Sequence, residues 1–267
     1  MNTIARLMNM QGRRALITGA AGKIGLVMTE TLAELGADLV LVDRPGTDLD
    51  TLATEMGSRF GVKTQTLVCD LEQQSEREQL VGHVATQAAG LHVLVNNAAF
   101  VGTSGLEGWA TSFEKQTVET WRRALEVNLT AAFDLTRGLA SVLRQSGHGS
   151  IINVGSIYAT LGPDYSLYED TAMGNPAAYA ASKGGLIQLT RWLSTTLAPA
   201  IRVNAISPGG VSRNQPEVFV KRYEARTPLR RMAVEADFAG AVAYLASDLS
   251  AYVTGINLQV DGGWAAW

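Results

Sequence analysis

Short apolar runs without alternation recur along this chain, and they constrain its fold more than any other feature. They are Ala15-Leu16-Ile17, Leu39-Val40-Leu41-Val42, a stretch near 63–69, Leu91-His92-Val93-Leu94-Val95, Ser150-Ile151-Ile152-Asn153-Val154, Ile201 to Ile206 and a last one near 256–260. A strand with one wet face alternates apolar and polar residues; runs like these are buried on both faces, as in a parallel sheet. Parallel strands need long crossovers. Segments with apolar residues at helical spacing supply them: 24–35 closed by Gly36, then about 48–59, 73–89, a long broken helix over 114–145, 177–198 and 234–247. Seven strand–helix units in this order predict one doubly wound α/β domain spanning 1–267. Its seven-stranded, mainly parallel sheet carries helices on both faces.

Composition narrows the rest. The 267 residues are 46% hydrophobic and 18% charged with a formal net charge of −3, which describes a globular chain with no general affinity for nucleic acid. A single cysteine, Cys69, excludes an internal disulfide, and His83, His92 and His148 lack metal-ligand spacing, so no metal site is expected. No apolar stretch reaches the length of a membrane span, and residues 1–12 do not follow the order of a secretory signal. A cytoplasmic protein with no membrane or nucleic-acid partner is the expectation.

The first strand runs into Thr18-Gly19-Ala20-Ala21-Gly22-Lys23-Ile24-Gly25, which opens the first helix. Glycines at such a junction let backbone N–H groups approach a pyrophosphate at a helix N-terminus, the Rossmann arrangement. Asp43 ends the next strand, eighteen residues beyond Gly25. A carboxylate there binds the ribose hydroxyls of NAD and repels the 2′-phosphate of NADP, so NAD is favoured; Arg44 and Lys23 are the residues that could meet a phosphate instead. Farther on, Tyr179 and Lys183 are four residues apart, on one face of the helix expected over 177–198. A phenol beside an ammonium, with Ser156 upstream, is an arrangement suited to moving a proton.

These pieces, in this order, resemble the short-chain dehydrogenase/reductase family: TGAAGKIG at 18–25, Asp43, CDL at 69–71, NNAA at 96–99, Asn128 in VNLT, Ser156 in INVGS, YAASK at 179–183, RVNAISPGG at 202–210 and VTG with VDGG between 253 and 263. The resemblance covers about residues 11 to 263. It implies hydride transfer between nicotinamide and a carbinol or carbonyl carbon. It assigns Tyr179 as acid/base, Lys183 as the group that depresses the Tyr179 pKa and holds the nicotinamide ribose, Ser156 as the partner of the substrate oxygen and Asn128 as the holder of a water beside Lys183. Cofactor contacts are implied for Gly19, Gly22, Lys23, Ile24, Gly25, Asp43, Asp70, Leu71, Asn97, Ala98, Tyr179, Lys183, Pro208, Gly209 and Val211, with Asn96 supporting the central sheet. The family's middle glycine falls where this chain has Lys23, and its usual threonine beside the nicotinamide is Arg213 here.

Two stretches are the chain's own. Ser156 and Tyr179 lie 23 residues apart, a longer connection than the family's usual one, and 158–176 carries Tyr158, Asp164, Tyr165, Tyr168, Glu169, Asp170 and Asn175. Because both ends are expected at the reacting centre, this segment is expected beside the substrate; rings and carboxylates together suit a polyhydroxylated ligand, and a structural lid or oligomer contact is the alternative. The family's substrate-lid region, 211–232, is rich in Arg213, Lys221, Arg222, Arg226, Arg230 and Arg231, which suits an anionic substrate, unless these bases simply form a solvated face paired with Glu217 and Glu224. Phrases around both segments are similar to dehydrogenases of bacterial surface-glycan and flagellin-sugar pathways, which tilts the expected substrate toward a sugar derivative. The apolar C-terminus, with Trp264 and Trp267, and the family's habit point to a homotetramer, with a dimer second. A 3-oxoacyl thioester reductase and a catalytically silent cofactor-binding protein are the competing readings.

Overall fold

The computed structural model describes residues 3–87, 90–101 and 106–267. Its strands are β1 (Arg14–Thr18), β2 (Asp38–Asp43), β3 (Thr64–Val68), β4 (Val93–Asn96), β5 (Gly149–Val154), β6 (Ile201–Pro208) and β7 (Asn257–Val260). They form one sheet in the order β3-β2-β1-β4-β5-β6-β7, and every pairing is parallel. The chain starts at the sheet's centre, winds out to β3, returns across β1 to β4 and winds out the other way. That reversal opens a crevice at the carboxyl ends of β1 and β4, where open α/β sheets bind their ligands.

The helices are α1 (Thr3–Met8), α2 (Lys23–Glu34), α3 (Leu49–Phe60), α4 (Gln74–Ala85), α5 (Val118–Leu125), α6 (Ala131–Gln145), α7 (Ala177–Thr196), α8 (Glu217–Arg226) and α9 (Ala239–Ala246). The unalternating strands sort their side chains between two cores. Ile17, Leu39, Leu41 and Val95 pack with Met28 and Leu32 of α2, Met56 of α3 and Val242 and Leu245 of α9. Leu16, Val40, Leu94 and Ile151 point the other way, onto Leu80 of α4, Leu135 and Leu139 of α6 and Leu193 of α7. Each such aliphatic side chain contributes about 1.5–3 kcal/mol on burial.

Several boundaries differ from the sequence expectation. Residues 88 and 89, inside the helix expected over 73–89, lie outside the described residues; α4 itself ends at Ala85. The long broken helix is α5, one π turn over Glu126–Thr130, and α6. The wider turn sits at Asn128, whose buried side chain is tied to other segments. The helix expected over 234–247 begins with a 3-10 turn at Glu235–Phe238 before α9. Among the described residues, no helix is long and apolar enough to cross a membrane.

Candidate active site

At the first crevice wall, Gly19 adopts φ +64° directly after β1, and α2 begins at Lys23 with Gly22 as its extended N-cap. The N–H groups of that first turn have no intrahelical acceptor. Gly25 packs against the same turn: a Cβ added there would lie 1.9 Å from the Gly19 carbonyl oxygen. The cradle is therefore closed to any side chain and open to an anion. Thr18 Oγ1 accepts the N–H groups of Asn97 and Ala98, both at 3.1 Å. The Asn97 carboxamide donates to the carbonyls of Thr18 and Gly19, both at 3.0 Å. Asn97 thus braces the glycine turn, while Asn96 ties β4 to β5 through a 2.8 Å bond to Asn153. Asp43 accepts from Ala21 N–H at 3.1 Å and from Arg44 N–H at 2.9 Å, which fixes its carboxylate at the rim of the cradle. Asp70 caps Glu72 N–H at 3.0 Å, and Arg77 holds the carbonyl of Leu71 at 2.6 Å. On the far side, Pro208 ends β6, Gly209 N–H reaches Val260 at 3.0 Å, and Val211 bridges to Ala233. These residues fit a dinucleotide: the anion cradle, the ribose-side carboxylate and the strand-end turns all face one crevice.

At the second wall, β5 delivers Ser156 and α7 delivers Tyr179 and Lys183. Ser156 is buried and accepts from Tyr158 N–H at 3.2 Å, opening a single 3-10 turn. The half-buried Tyr179 has its pKa raised by desolvation, which outweighs the lowering by the Ser156 hydroxyl; Tyr158 raises it further and Arg213 lowers it. Lys183 is fully buried, its Nζ 5.9 Å from the Tyr179 ring centroid and 2.7 Å from the Val154 carbonyl oxygen it donates to. Burial lowers its pKa to about 8. The expected depression of the Tyr179 pKa by Lys183 is thus not seen in this conformation: the ammonium turns toward β5, and desolvation dominates at the phenol. Asn128 accepts from Phe100 N–H at 2.6 Å and donates to Ser182 Oγ at 3.0 Å. Ser182 in turn donates to the Tyr179 carbonyl at 2.8 Å. Ser156 meets the Tyr179 phenol, Lys183 lies near the Tyr179 ring with its ammonium on β5, and Asn128 braces the helix turn between Tyr179 and Lys183.

A cleft of about 260 Å³ opens on Tyr179, walled by Val101, Trp109, Tyr158, Tyr168, Met173 and Asn175 among others. Most of this wall is the 158–176 segment, as its position in the sequence requires. Trp109 and Val101 escaped sequence reasoning, because no motif marks a side chain that only shapes a wall. The segment does not stand alone. Ile157, Leu167, Phe219, Tyr223, Met232 and Trp264 share a small third core that joins it to α8 and the C-terminus. The Tyr223 ring stacks on Trp264 at 4.2 Å, and its hydroxyl accepts Gly210 N–H at 2.5 Å. Trp264 is therefore buried inside its own chain, whereas Trp267 is 69% exposed.

The cations of 211–232 are engaged. Arg226 meets Asp164 at 2.6 Å, Arg231 meets Asp237 at 2.6 Å, Lys221 meets Glu217 at 2.6 Å, Arg222 meets Asp170 at 3.4 Å and Arg213 meets Glu235 at 3.6 Å. Arg230 donates to the Ala225 carbonyl. Asp164 and Asp170 of the inserted segment serve as latches for α8, and none of Asp164, Glu169 and Asp170 lines the cleft.

Fold and site together define a dinucleotide-dependent oxidoreductase of the doubly wound α/β class. The chain belongs to the short-chain dehydrogenase/reductase family: residues 19–265 match a family profile described as enoyl-(acyl carrier protein) reductase. It is 34% identical over 266 residues to nodulation protein G of Rhizobium sp. (strain N33), covering 97% of this chain and 99% of that protein. It is 32% identical over 268 residues to galactitol 2-dehydrogenase (L-tagatose-forming) of Cereibacter sphaeroides, covering 97% of each chain. It is 29% identical over 266 residues to the 3-oxoacyl-(acyl-carrier-protein) reductase FabG of Escherichia coli (strain K12), covering 96% and 98%. Among solved structures, the NADPH-dependent 3-quinuclidinone reductase from Rhodotorula rubra superposes with a TM-score of 0.88 at 27% identity, covering 100% of this chain and 96% of that one. A putative NAD(P)-dependent gluconate 5-dehydrogenase from Beutenbergia cavernae does so with 0.86 at 31% identity, covering 98% and 100%.

Proposed function

We propose that this oxidoreductase interconverts a secondary alcohol and a ketone on a small sugar-like substrate, with NAD preferred over NADP. The observation that carries the reading is the Tyr179 phenol, set beside Ser156 at the wall of a cleft that the 158–176 segment encloses. A nicotinamide dinucleotide held by Gly19, Gly22, Lys23, Ile24, Gly25, Asp43, Asp70, Leu71, Asn97, Ala98, Pro208, Gly209 and Val211 would supply the hydride acceptor or donor. Tyr179 takes the carbinol proton in one direction and returns it in the other. Ser156 donates to the substrate oxygen and stabilises the charge that develops on it. Lys183, freed from Val154, serves the ribose and holds positive charge behind the phenol. Asn128 keeps the turn of α7 that carries both in place.

Asp43 supports NAD. Its two oxygens are fixed by Ala21 and Arg44 N–H groups at the ribose end, where a 2′-phosphate would meet a carboxylate. A sugar-like substrate is supported by the likeness to galactitol 2-dehydrogenase and gluconate 5-dehydrogenase. The ion pairs of 211–232 weigh against the expected anionic substrate, because Arg213, Arg222, Arg226 and Arg231 would each have to exchange a carboxylate already in place. A 3-oxoacyl thioester reductase remains the second reading, on the likeness to FabG and the family profile's description.

The test is a steady-state screen of neutral polyols, sugar acids and an acetoacetyl thioester with NAD(H) and NADP(H), using Tyr179→Phe as control. Turnover of polyols with NAD, abolished in Tyr179→Phe while NADH still binds, is the expected result. Unchanged turnover in Tyr179→Phe refutes the assignment, and preference for the thioester with NADPH establishes the second reading.

A further inference from the structure

We infer that Tyr158, Tyr168 and Asn175 form a recognition site for a second, neutral hydroxyl group of the substrate; the inference rests on the alcohol–ketone reading above and specifies its substrate as a neutral 1,2-diol or polyol. The Tyr158 and Tyr168 hydroxyls are 2.6 Å apart, so one donates to the other and the pair retains a single free O–H. Asn175 is 91% buried by its 9% exposure, yet neither its Oδ1 nor its Nδ2 makes a hydrogen bond of acceptable geometry to the protein. Its carboxamide is close enough to pull both phenol pKa values down, against the larger upward effect of desolvation. All three residues line the cleft that also contains Tyr179.

A buried carboxamide without a well-formed bond costs about 1–3 kcal/mol, and at the wall of a cleft its geometry points to a partner from outside the protein. The partner it needs can be read from its atoms. Oδ1 requires a donor and Nδ2 an acceptor, while the tyrosine pair offers one further O–H. A hydroxyl group does both at once: it donates to Asn175 Oδ1 and accepts from Asn175 Nδ2 or from the free phenol. A carboxylate or phosphate would leave Oδ1 unsatisfied and facing negative charge. No Asp, Glu, Lys, Arg or His lines the cleft among the described residues, and the bases whose charge reaches Tyr179 and Tyr158, Arg213 and Arg226, are already paired with Glu235 and Asp164, so an ionised substituent would lose its hydration without gaining a free counter-charge. With Tyr179 fixing the carbinol that reacts, the Tyr158–Tyr168–Asn175 set binds a hydroxyl elsewhere on the same small molecule.

The experiment measures kcat/KM for cis-1,2-cyclohexanediol and cyclohexanol with NAD⁺, in the wild type, Asn175→Leu and Tyr168→Phe, each checked for an unchanged melting profile. The wild type is expected to prefer the diol by about tenfold or more, the effect of one net hydrogen bond. Asn175→Leu is expected to lower that preference ratio by about tenfold, and Tyr168→Phe by a smaller factor. A ratio that stays at its wild-type value in Asn175→Leu, with both rates falling together, overturns the inference. If the wild type turns over neither alcohol, binding decides the recognition site, separately from the alcohol–ketone reading, which the polyol screen decides. Saturation-transfer NMR of the diol is then recorded on Tyr179→Phe with NAD⁺. A contact that disappears in Tyr179→Phe/Asn175→Leu sustains the site; no contact, or one indifferent to Asn175→Leu, overturns it.

Discussion

Lys183 carries a stability prediction that can be worked from the structure. Its ammonium is buried, with one carbonyl as partner, and its pKa falls from 10.5 to about 8. The unfolded chain therefore binds more protons than the folded one between about pH 8 and pH 10.5, and stability rises with pH across that window. Below the folded value both states are protonated, and burial of the charge costs about 3 kcal/mol. Between pH 7 and pH 9.5 the folded state recovers about 2 kcal/mol of this. Lys183→Met keeps the chain length and the packing but removes the titration; loss of the bond to Val154 is an offset that does not vary with pH. The stability of the wild type minus that of Lys183→Met should therefore rise by about 2 kcal/mol from pH 7 to pH 9.5. Urea unfolding at one protein concentration measures it. With a slope of about 3 kcal/mol per molar, the difference in midpoints moves by about 0.7 M. Parallel stability curves for the two proteins would refute the reasoning, by showing that the lysine is hydrated or is neutral throughout.

Two other perturbations separate the cradle from the lid. Gly25→Ala places a methyl 1.9 Å from the Gly19 carbonyl oxygen, so the turn must open; NADH affinity should fall about tenfold or more in a fluorescence titration while far-UV circular dichroism is retained, and an unchanged Kd would show that the turn is not the cofactor cradle. Arg226→Ala removes the 2.6 Å pair to Asp164 and the guanidinium 5.0 Å over the Trp264 ring. At this partly exposed site the pair is worth about 0–1 kcal/mol, so Tm should drop by only a few degrees, about 4 °C at most, while KM for the substrate rises and kcat holds. A fall in kcat with KM unchanged would place Arg226 in the chemistry instead of in the latch.

What could be read in the sequence followed from local physics. Leu39-Val40-Leu41-Val42 has to be buried on both faces, and the structure sends Leu39 and Leu41 to one core and Val40 and Val42 to the other. Gly19, Gly25 and Asp43 were legible because a strand, a turn and a helix in sequence fix where their backbones go. Tyr179 and Lys183 shared a helix face by spacing alone. What could not be read depended on long-range pairing. The bases of 211–232 look like an anion site until Asp164 and Asp170, more than 50 residues away, arrive from the inserted segment. Trp264 of the apolar C-terminus finds its partner within its own chain, stacked on Tyr223. The direction of the Lys183 side chain was hidden for the same reason: its partner, Val154, belongs to a strand 29 residues earlier.

The inserted segment and the lid, separate in the sequence, form one body in the fold, and this changes what each can do. Arg222 and Arg226 reach Asp170 and Asp164 across it. Tyr168 packs on Phe219 at 5.5 Å, and Phe219 on Tyr223 at 6.0 Å. Opening either segment alone would expose these rings, whose burial outweighs the two surface ion pairs. Gly209 and Gly210 are not a free hinge between them, since Gly209 N–H is bonded to the Val260 carbonyl and Gly210 N–H to the Tyr223 hydroxyl. The Tyr158–Tyr168–Asn175 set is therefore held from two sides, with Tyr168 packed from behind by α8 and Asn175 two residues before the start of α7, the helix that carries Tyr179. A substrate hydroxyl bound there is placed relative to the phenol by the same helix, so recognition and proton transfer share one frame, and a mutation in the lid reaches the chemistry only through that frame.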